Sequence, residues 1–458
     1  MARLTLRQLF TPTGSVDRST YALFGVLGFA IKHNIDRFVA SYFFHQPWTL
    51  FNYWAPLRQT RITQLHGDQV RFLAVMVASA LPFIWVGVVL TLKRLRSAGL
   101  PSSLVILFFV PFANLLFFLL LCLLPQRDAA SHQTPQPSTL NRILPAGKLG
   151  SAAISLLITV PVGFGTAYLG AQVFTNYGWG MFVALPFVMG FVAALIYAAN
   201  QPRTRNGCIG VACLSVALLG AALLALAFEG IVCLIMALPL ALPLAAFGGY
   251  CAYLVQKRRQ HAAPVFLSAL LLVAPGIEYL EHIVARPSPV FVVHTSIDVK
   301  APPEKVWNQV IAFTQIPPPA EWMFRAGIAY PIRAEMRGSG VGAERHCVFS
   351  TGAFVEPIQV WDAPHLLKFS VTSNPPPMEE WTPYHHIEPP HLHGFLVSEG
   401  GQFLLTPLPN GGTRLEGTTW YHHGLWPSAY WRLWSDAIIH QIHLRVLRHI
   451  QAEAEANS

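Results

Sequence analysis

Residues 291–312 read FVVHTSIDVKAPPEKVWNQVIA, and the chain changes character at this stretch. Before it the sequence is dominated by long apolar runs; after it no run is long and apolar enough to span a bilayer. Phe291–Val299 is β-branched and half alternating, with Val293, Thr295, Ile297 and Val299 on one face, which predicts a strand. Ala301, Pro302 and Pro303 stop that strand. Either proline can open a helix whose first turn carries Glu304, placing an anionic side chain at the positive end of the helix dipole. Val306, Trp307, Val310 and Ile311 then recur at helical spacing and turn a Trp inward.

The pattern continues as strands at hairpin spacing: about Tyr330–Arg337, Ala343–Thr351, Phe354–Trp361, Leu366–Thr372, Gln402–Pro407 and Thr413–Tyr421. Gly338-Ser339-Gly340, Gly352, Ala363-Pro364 and Asn410-Gly411-Gly412 punctuate them. Trp322, Phe324 and Arg325 follow a Pro-rich stretch as a short helix or loop, and Pro427 to about Ala454 is one long helix. A strand, a Pro-Pro break and a short helix with an inward Trp resembles the opening of domains of the SRPBCC superfamily. That superfamily includes START lipid-transfer domains, pollen-allergen proteins and polyketide cyclases. The resemblance runs from about Val292 to the C-terminus. It implies a helix-grip fold, an α+β arrangement in which a seven-stranded antiparallel sheet curls around a long C-terminal helix. Such a fold encloses a cavity, the default ligand site, but a shared fold does not carry a shared function.

The 458 residues are 53% hydrophobic and 12% charged, the balance of a multi-pass α-helical membrane protein carrying one soluble domain. Residues 1–286 hold 20 Lys and Arg against 7 Asp and Glu, whereas residues 287–458 hold 11 against 15. The basic excess therefore belongs to membrane loops, and no nucleic-acid partner is expected. Five of the six cysteines lie in apolar segments and only Cys347 in the soluble part, so that domain has no internal disulfide. The first twenty residues lack an apolar h-region and a small-residue cleavage site, and no cleaved signal peptide is expected.

Four regions follow: a membrane domain over 1–125, a linker over 126–148, further transmembrane helices over 149–286, and the ligand-binding domain over 287–458. The first candidate span, Ser19–Phe44, carries Lys32, His33, Asn34, Asp36 and Arg37. Lys32 and Asp36 are four apart and can pair on one helix face. Buried charge at membrane depth is a functional suspect, although an interfacial kink or helix end with snorkelling side chains is the favoured reading. Phe72–Leu92 is a cleaner span ending in Lys93-Arg94-Leu95-Arg96-Ser97-Ala98-Gly99. Ser102–Leu124 comes next, interrupted at Val110-Pro111-Phe112-Ala113-Asn114. From Arg18 to Pro125 this order resembles a small bacterial inner-membrane domain of unknown function, with Ser97 where that family typically carries an acidic residue. Further spans are expected at Leu149–Ala171, Trp179–Ala199, Cys208–Phe228 and Ile231–Val255, with a weaker one at Pro264–His282. If Ser102–Leu124 enters and leaves on one side, the Lys and Arg clusters gather on a single face. The positive-inside rule then places the C-terminal domain outside a bacterial inner membrane, in the periplasm. If Pro264–His282 only dips into the bilayer, the domain is cytoplasmic.

Alternation names the candidate site. Phe354, Glu356, Ile358 and Val360 share one strand face, and Arg345 shares a face with Cys347 and Phe349. A buried carboxylate needs a partner, and Arg345 or Arg325 can supply it, either to anchor a ligand head group or as a structural ion pair. Trp322, Phe349, Phe369 and Tyr421 complete the expected ligand-binding set. Twelve of eighteen histidines fall after residue 290, among them Asp436-spaced His440 and His443 and the pair His391 and His393. No Cys-x-x-Cys or His-Glu-x-x-His accompanies them, so no metal site and no cofactor are expected. The loop Asn374–Gly394 is Pro-rich and long, with an acidic, aromatic face at Glu379, Glu380 and Trp381, and suits a lid or a docking surface.

No nucleophile elbow, phosphate loop or dinucleotide glycine pattern is present. The expected function is membrane-tethered binding of a hydrophobic or amphipathic small molecule, lipid being one candidate. The alternatives are a cyclase- or hydrolase-like enzyme using the same cavity, and a transporter or sensor that passes ligand or signal to the helices. Catalysis is not the favoured reading.

Overall fold

A computed structural model describes residues 10–53, 67–100, 102–109, 113–123, 147–258, 273–284, 288–384 and 387–456. Most of the expected linker and the first half of Pro264–His282 lie outside the described residues. The chain forms two compact units, Met1–Ala167 with Val183–Phe228 and Pro239–Ala274, and Tyr168–Phe182 with Glu229–Leu238 and Pro275–Ser458. The second unit thus takes in Tyr168–Phe182 and Glu229–Leu238 and begins its last segment at Pro275, ahead of the region expected over 287–458.

The first unit is helical. Helix α1 (Arg18–Phe43) opens at Asp17, whose carboxylate accepts from the Thr20 amide at 2.9 Å. It continues through Lys32–Arg37 without the helix end favoured from sequence. Lys32 donates to Asp36 one turn on, both are buried, and Tyr53 donates to Asp36 Oδ2 at 2.6 Å. The charges are neutralised inside the unit instead of snorkelling. Helix α2 (Gly67–Ala98) ends in the basic run, where buried Arg94 donates through Nε to the Leu121 carbonyl at 2.8 Å. Ser97, at the position where an acid is typical of the resembled family, donates to the Val16 carbonyl at 2.5 Å.

The described residues of the expected Ser102–Leu124 span form a tight helix at Ser102–Phe109 and α3 (Ala113–Leu123), packed against each other. Neither piece, at roughly 16 Å, reaches across a hydrocarbon core of ~30 Å. Next come α4 (Lys148–Tyr168), α5 (Leu185–Tyr197), α6 (Arg205–Ala225) and α7 (Ile231–Arg258). Among the described residues, five helices are long and apolar enough to cross a membrane: Ala74–Ala98, Lys148–Val173, Gly180–Tyr197, Arg205–Ala225 and Ile231–Gln256. Small residues let α5 and α7 touch backbone to backbone. A Cβ on Gly190 would stand 2.4 Å from the Ala245 carbonyl oxygen, and one on Gly248 2.3 Å from that of Phe187.

In the second unit, α8 (Val273–Ile283) carries Glu281, which accepts from the amides of Trp179 and Gly180 at 2.8 and 3.0 Å. Strand β1 (Phe291–Val299) leads into α9 (Pro303–Ile311), opened by proline and carrying Glu304 in its first turn. A one-turn helix α10 (Trp322–Arg325) precedes β2 (Pro331–Arg337), β3 (Glu344–Phe349), β4 (Gly352–Asp362), β5 (Leu366–Ser370), β6 (Leu396–Pro407) and β7 (Thr413–His423). The sheet order is β1-β7-β6-β5-β4-β3-β2, antiparallel throughout, so the first strand closes on the last. Helix α11 (Ser428–Ala456) lies against this curled sheet, burying Ile439, Val446, Leu447 and Ile450. The inward Trp307 meets Trp361 edge to face at 5.7 Å between centroids. The expected helix-grip fold is therefore present.

One strand differs from the sequence reading. β6 starts at Leu396 rather than Gln402, so Gly400 and Gly401 are strand residues. A bulge between Ser398 and Gly400 re-aims the strand. A Cβ on Gly401 would stand 2.7 Å from the Phe369 ring, so glycine here admits an aromatic neighbour. The Pro-rich loop 374–394 is held at its start, where the Ala329 amide donates to the Pro377 carbonyl at 3.0 Å and the Glu379 amide to that of Gly327 at 2.8 Å. Gly327 takes φ +110°, and a Cβ there would meet the Glu379 carbonyl at 2.0 Å.

Candidate functional site

The sheet, α11 and Asn374–Pro377 line a partly open cavity of about 140 Å³. Alternation in β3 sends Arg345, Cys347 and Phe349 inward, and β4 answers with Phe354, Glu356 and Ile358. Arg345 and Glu356 stand directly opposite in the register, so the polar pair forms without any long-range adjustment. Arg345 donates through Nη1 to Glu356 Oε2 and through Nε to the Ile311 carbonyl at 3.2 Å. Its Nη2 is buried without a hydrogen-bond partner of good geometry, the weakly accepting Cys347 sulfur being the neighbour of the guanidinium on that wall. The guanidinium is ringed by Phe313, Phe369 and Phe403, whose centroids lie 5.4–5.6 Å away. Phenyl faces are negative at their centres and complement a desolvated cation.

Burial pushes the Glu356 carboxyl above the usual carboxylate range, and Arg345 opposes that shift. Burial alone would lower Arg345, but the adjacent Glu356 outweighs it and holds the guanidinium charged. Burial, with Glu356 nearby, pushes the Cys347 thiol up to about 12. A thiol held protonated in this way is a poor nucleophile at neutral pH. His443 of α11 also lines the cavity. Burial first, then the neighbouring His440 and His294, pull it down to about 4. Both its ring nitrogens are engaged, with Thr419 at 2.7 Å and Thr295 at 3.1 Å. The wall is thus one polar pair and a hydrogen-bonded neutral imidazole in otherwise largely apolar surroundings.

The residues expected in the site divide. Glu356, Arg345, Phe349 and Phe369 line the cavity. Arg345, and not Arg325, partners Glu356, because Arg325 is exposed on α10. Trp322 is 72% exposed on the same helix and stays outside the lining. Tyr421 is fully buried but belongs to a structural lock, donating to Asp436 Oδ1 at 2.6 Å and hydrogen-bonding Ser435 at 2.7 Å. His346 faces away from Arg345 and pairs with Glu344, as alternation predicts. Sequence reasoning singled out His443 but missed Phe313, Phe403 and its α11 neighbours Ile439, Ile442 and Val446. The neighbours were readable from their helical spacing; Phe313 was not, since it follows the end of α9 with no pattern to aim it.

The expectation of no metal site rested on motif spacing. Asp436 and His440, the acid and histidine spaced for a ligand set on α11, are engaged with Tyr421 and Thr295. Among the described residues, the one group whose donor atoms converge within 4.8 Å is Glu229, Cys233, Glu380 and His391. It lies in the second unit and outside the cavity lining.

No family model matches the sequence, and no curated protein matches it. Several solved structures are similar over the C-terminal third. Norcoclaurine synthase from Thalictrum flavum, in complex with dopamine and hydroxybenzaldehyde, is 14% identical, over 38% of this chain and 95% of that one, with a TM-score of 0.26. A protein from Nitrosospira multiformis is 17% identical over 37% of this chain and all of that one, with a TM-score of 0.23. A Thermus thermophilus protein is 13% identical over 37% and 99%, with a TM-score of 0.23. The helix-grip assignment stands on the strand order, the antiparallel registers and the long terminal helix.

Proposed function

We propose that the second unit binds a small, mostly apolar molecule carrying a hydrogen-bond acceptor, and that the apolar helices tether this binding activity to a membrane. The observation that carries the reading is Arg345 Nη2, a buried donor without a partner of good geometry at the wall of an apolar cavity. Leaving such a donor unsatisfied costs about 1–3 kcal/mol, and a ligand carbonyl, carboxylate or phenolate oxygen recovers it. Size narrows the class. About 140 Å³ suits a group near benzene in bulk, and lies below the ~300–1,000 Å³ of sites for larger ligands. A single aromatic ring or short branched chain with one acceptor fits; a two-chain lipid needs the wall to open. Binding is favoured over catalysis because the one thiol in the wall is held protonated and the one imidazole has both nitrogens occupied.

The test is a ligand-observed NMR titration of the full chain in detergent with benzoate, benzamide and benzylamine. Benzoate and benzamide binding, with benzylamine silent and Arg345→Met abolishing the signal, is the expected result. Equal binding of benzylamine, or binding indifferent to Arg345, would overturn the acceptor reading.

A further inference from the structure

The geometry points to a zinc site formed by Glu229, Cys233, Glu380 and His391, which clamps the Pro-rich loop to the start of α7. The residues come from two places in the second unit. Glu229 and Cys233 lie four apart across the opening of α7, and Glu380 and His391 lie within the 374–394 loop. Cys233 Sγ is 2.6 Å from Glu380 Oε1 and 3.1 Å from His391 Nε2. His391 Nε2 is 3.4 Å from Glu380 Oε1, and its Nδ1 is 3.4 Å from Glu229 Oε2. Tetrahedral zinc with bonds of ~2.0–2.3 Å sets its ligand atoms about 3.3–3.8 Å apart. With one ring nitrogen of His391 and four donor atoms within 4.8 Å of one another, the set opens by about 1 Å at its sulfur–carboxylate edge and closes by up to about 1 Å at its widest. That edge is where the thiol now donates to the carboxylate, and zinc takes the place of the thiol proton, which leaves to solvent.

Three further features favour an ion over a plain hydrogen-bond cluster. The Glu380 side chain is fully buried, yet its Oε2 has no hydrogen-bond partner, and neither does His391 Nδ1. Two carboxylates gathered on a thiol in a buried spot repel one another, and a divalent cation offsets that charge. The surroundings are also shaped for it: Gly230 leaves the space that Glu380 fills, since a Cβ there would sit 1.7 Å from Oε2. The Ile231 amide donates to the Trp381 carbonyl at 2.9 Å, which sets the loop beside α7. Tyr177 donates to Glu229 Oε1 at 3.3 Å and stacks edge-on to His391, an outer shell that fixes both ligands. Val232, Met378 and Leu392 pack around the group and keep it dry.

A thiolate with an imidazole selects zinc over magnesium or calcium. Four protein donors leave no open position, so the role is structural. Its consequence is local: Asn374–Pro377 line the cavity, and the clamp holds the same loop three residues further on.

The experiment uses the full chain purified in detergent through a tag without histidines. Zinc content by mass spectrometry is expected at one per chain, falling at least tenfold in affinity against a competing chelator in Cys233→Ser, Glu380→Gln and His391→Ala. Because the chain is rich in histidine, Co²⁺ substitution supplies the specific signal: a thiolate-to-cobalt charge-transfer band present in the wild type and absent in Cys233→Ser. Cys233→His keeps a nitrogen donor and is expected to hold zinc while losing the band, which separates ligand loss from misfolding. Wild-type protein without zinc or a cobalt–thiolate band, or zinc retained unchanged in Cys233→Ser and His391→Ala, would overturn the site.

Discussion

Replacing Arg345 by Met leaves Glu356 in the cavity wall without its cation. Removing one partner of a buried pair costs about 3–5 kcal/mol, whereas replacing both by apolar residues of similar volume is often neutral or stabilising. Both side chains are buried here, with 1% and 6% of their surface exposed, so solvent does little to soften the loss. At ~2–4 °C per kcal/mol for a unit of this size, the single variant is expected to melt about 6–20 °C lower. The double variant Arg345→Met/Glu356→Leu should recover most of that. Binding follows a different pattern. Only Arg345 offers the poorly satisfied Nη2, so benzoate binding is lost in the single and remains lost in the stable double variant. Glu356→Gln keeps the shape and an acceptor for Nη1 while removing the carboxylate charge that competes for Arg345, so benzoate affinity should hold or rise. The assays are thermal unfolding and NMR titration of the full chain. A double variant that binds benzoate as the wild type does would refute the anchoring role, and a single variant that melts within 1 °C of wild type would refute the energetic coupling of the pair.

Two further outcomes follow. His443 is held down to about 4 from an ordinary value of 6.5, so below pH 6.5 the unfolded chain binds the proton that the folded one refuses. Stability is therefore full above pH 6.5 and falls as the pH drops towards 4, by a total of about 3 kcal/mol. The fall in melting temperature on acidification should be shallower in His443→Gln than in wild type if this imidazole is responsible, and an unchanged acid slope in the variant would count against it. The Lys and Arg distribution predicts an outside C-terminus: a C-terminal alkaline phosphatase fusion should be active and a green fluorescent protein fusion dark, and the reverse would place the domain in the cytoplasm.

The sequence by itself determined the elements, because each has a local cause. Period-two alternation marked β3 and β4, proline opened α9, and uninterrupted apolar length marked the five long helices. Alternation even set Arg345 and Glu356 on inward faces, since a strand leaves a side chain only two directions. What alternation does not carry is register, and only the paired strands placed the guanidinium opposite the carboxylate. The same limit explains Trp322 and Arg325, whose one-turn helix has no periodicity to aim them and proved exposed, and Tyr421, whose burial serves Ser435 and Asp436. Gly400 and Gly401 lie inside β6 ahead of its expected start at Gln402, since glycine carries no strand signal of its own and here admits Phe369 from the neighbouring strand. The Glu229, Cys233, Glu380 and His391 group was beyond any spacing rule: its halves are about 150 residues apart in the chain, and only the tertiary fold brings a helix opening and a loop to one point.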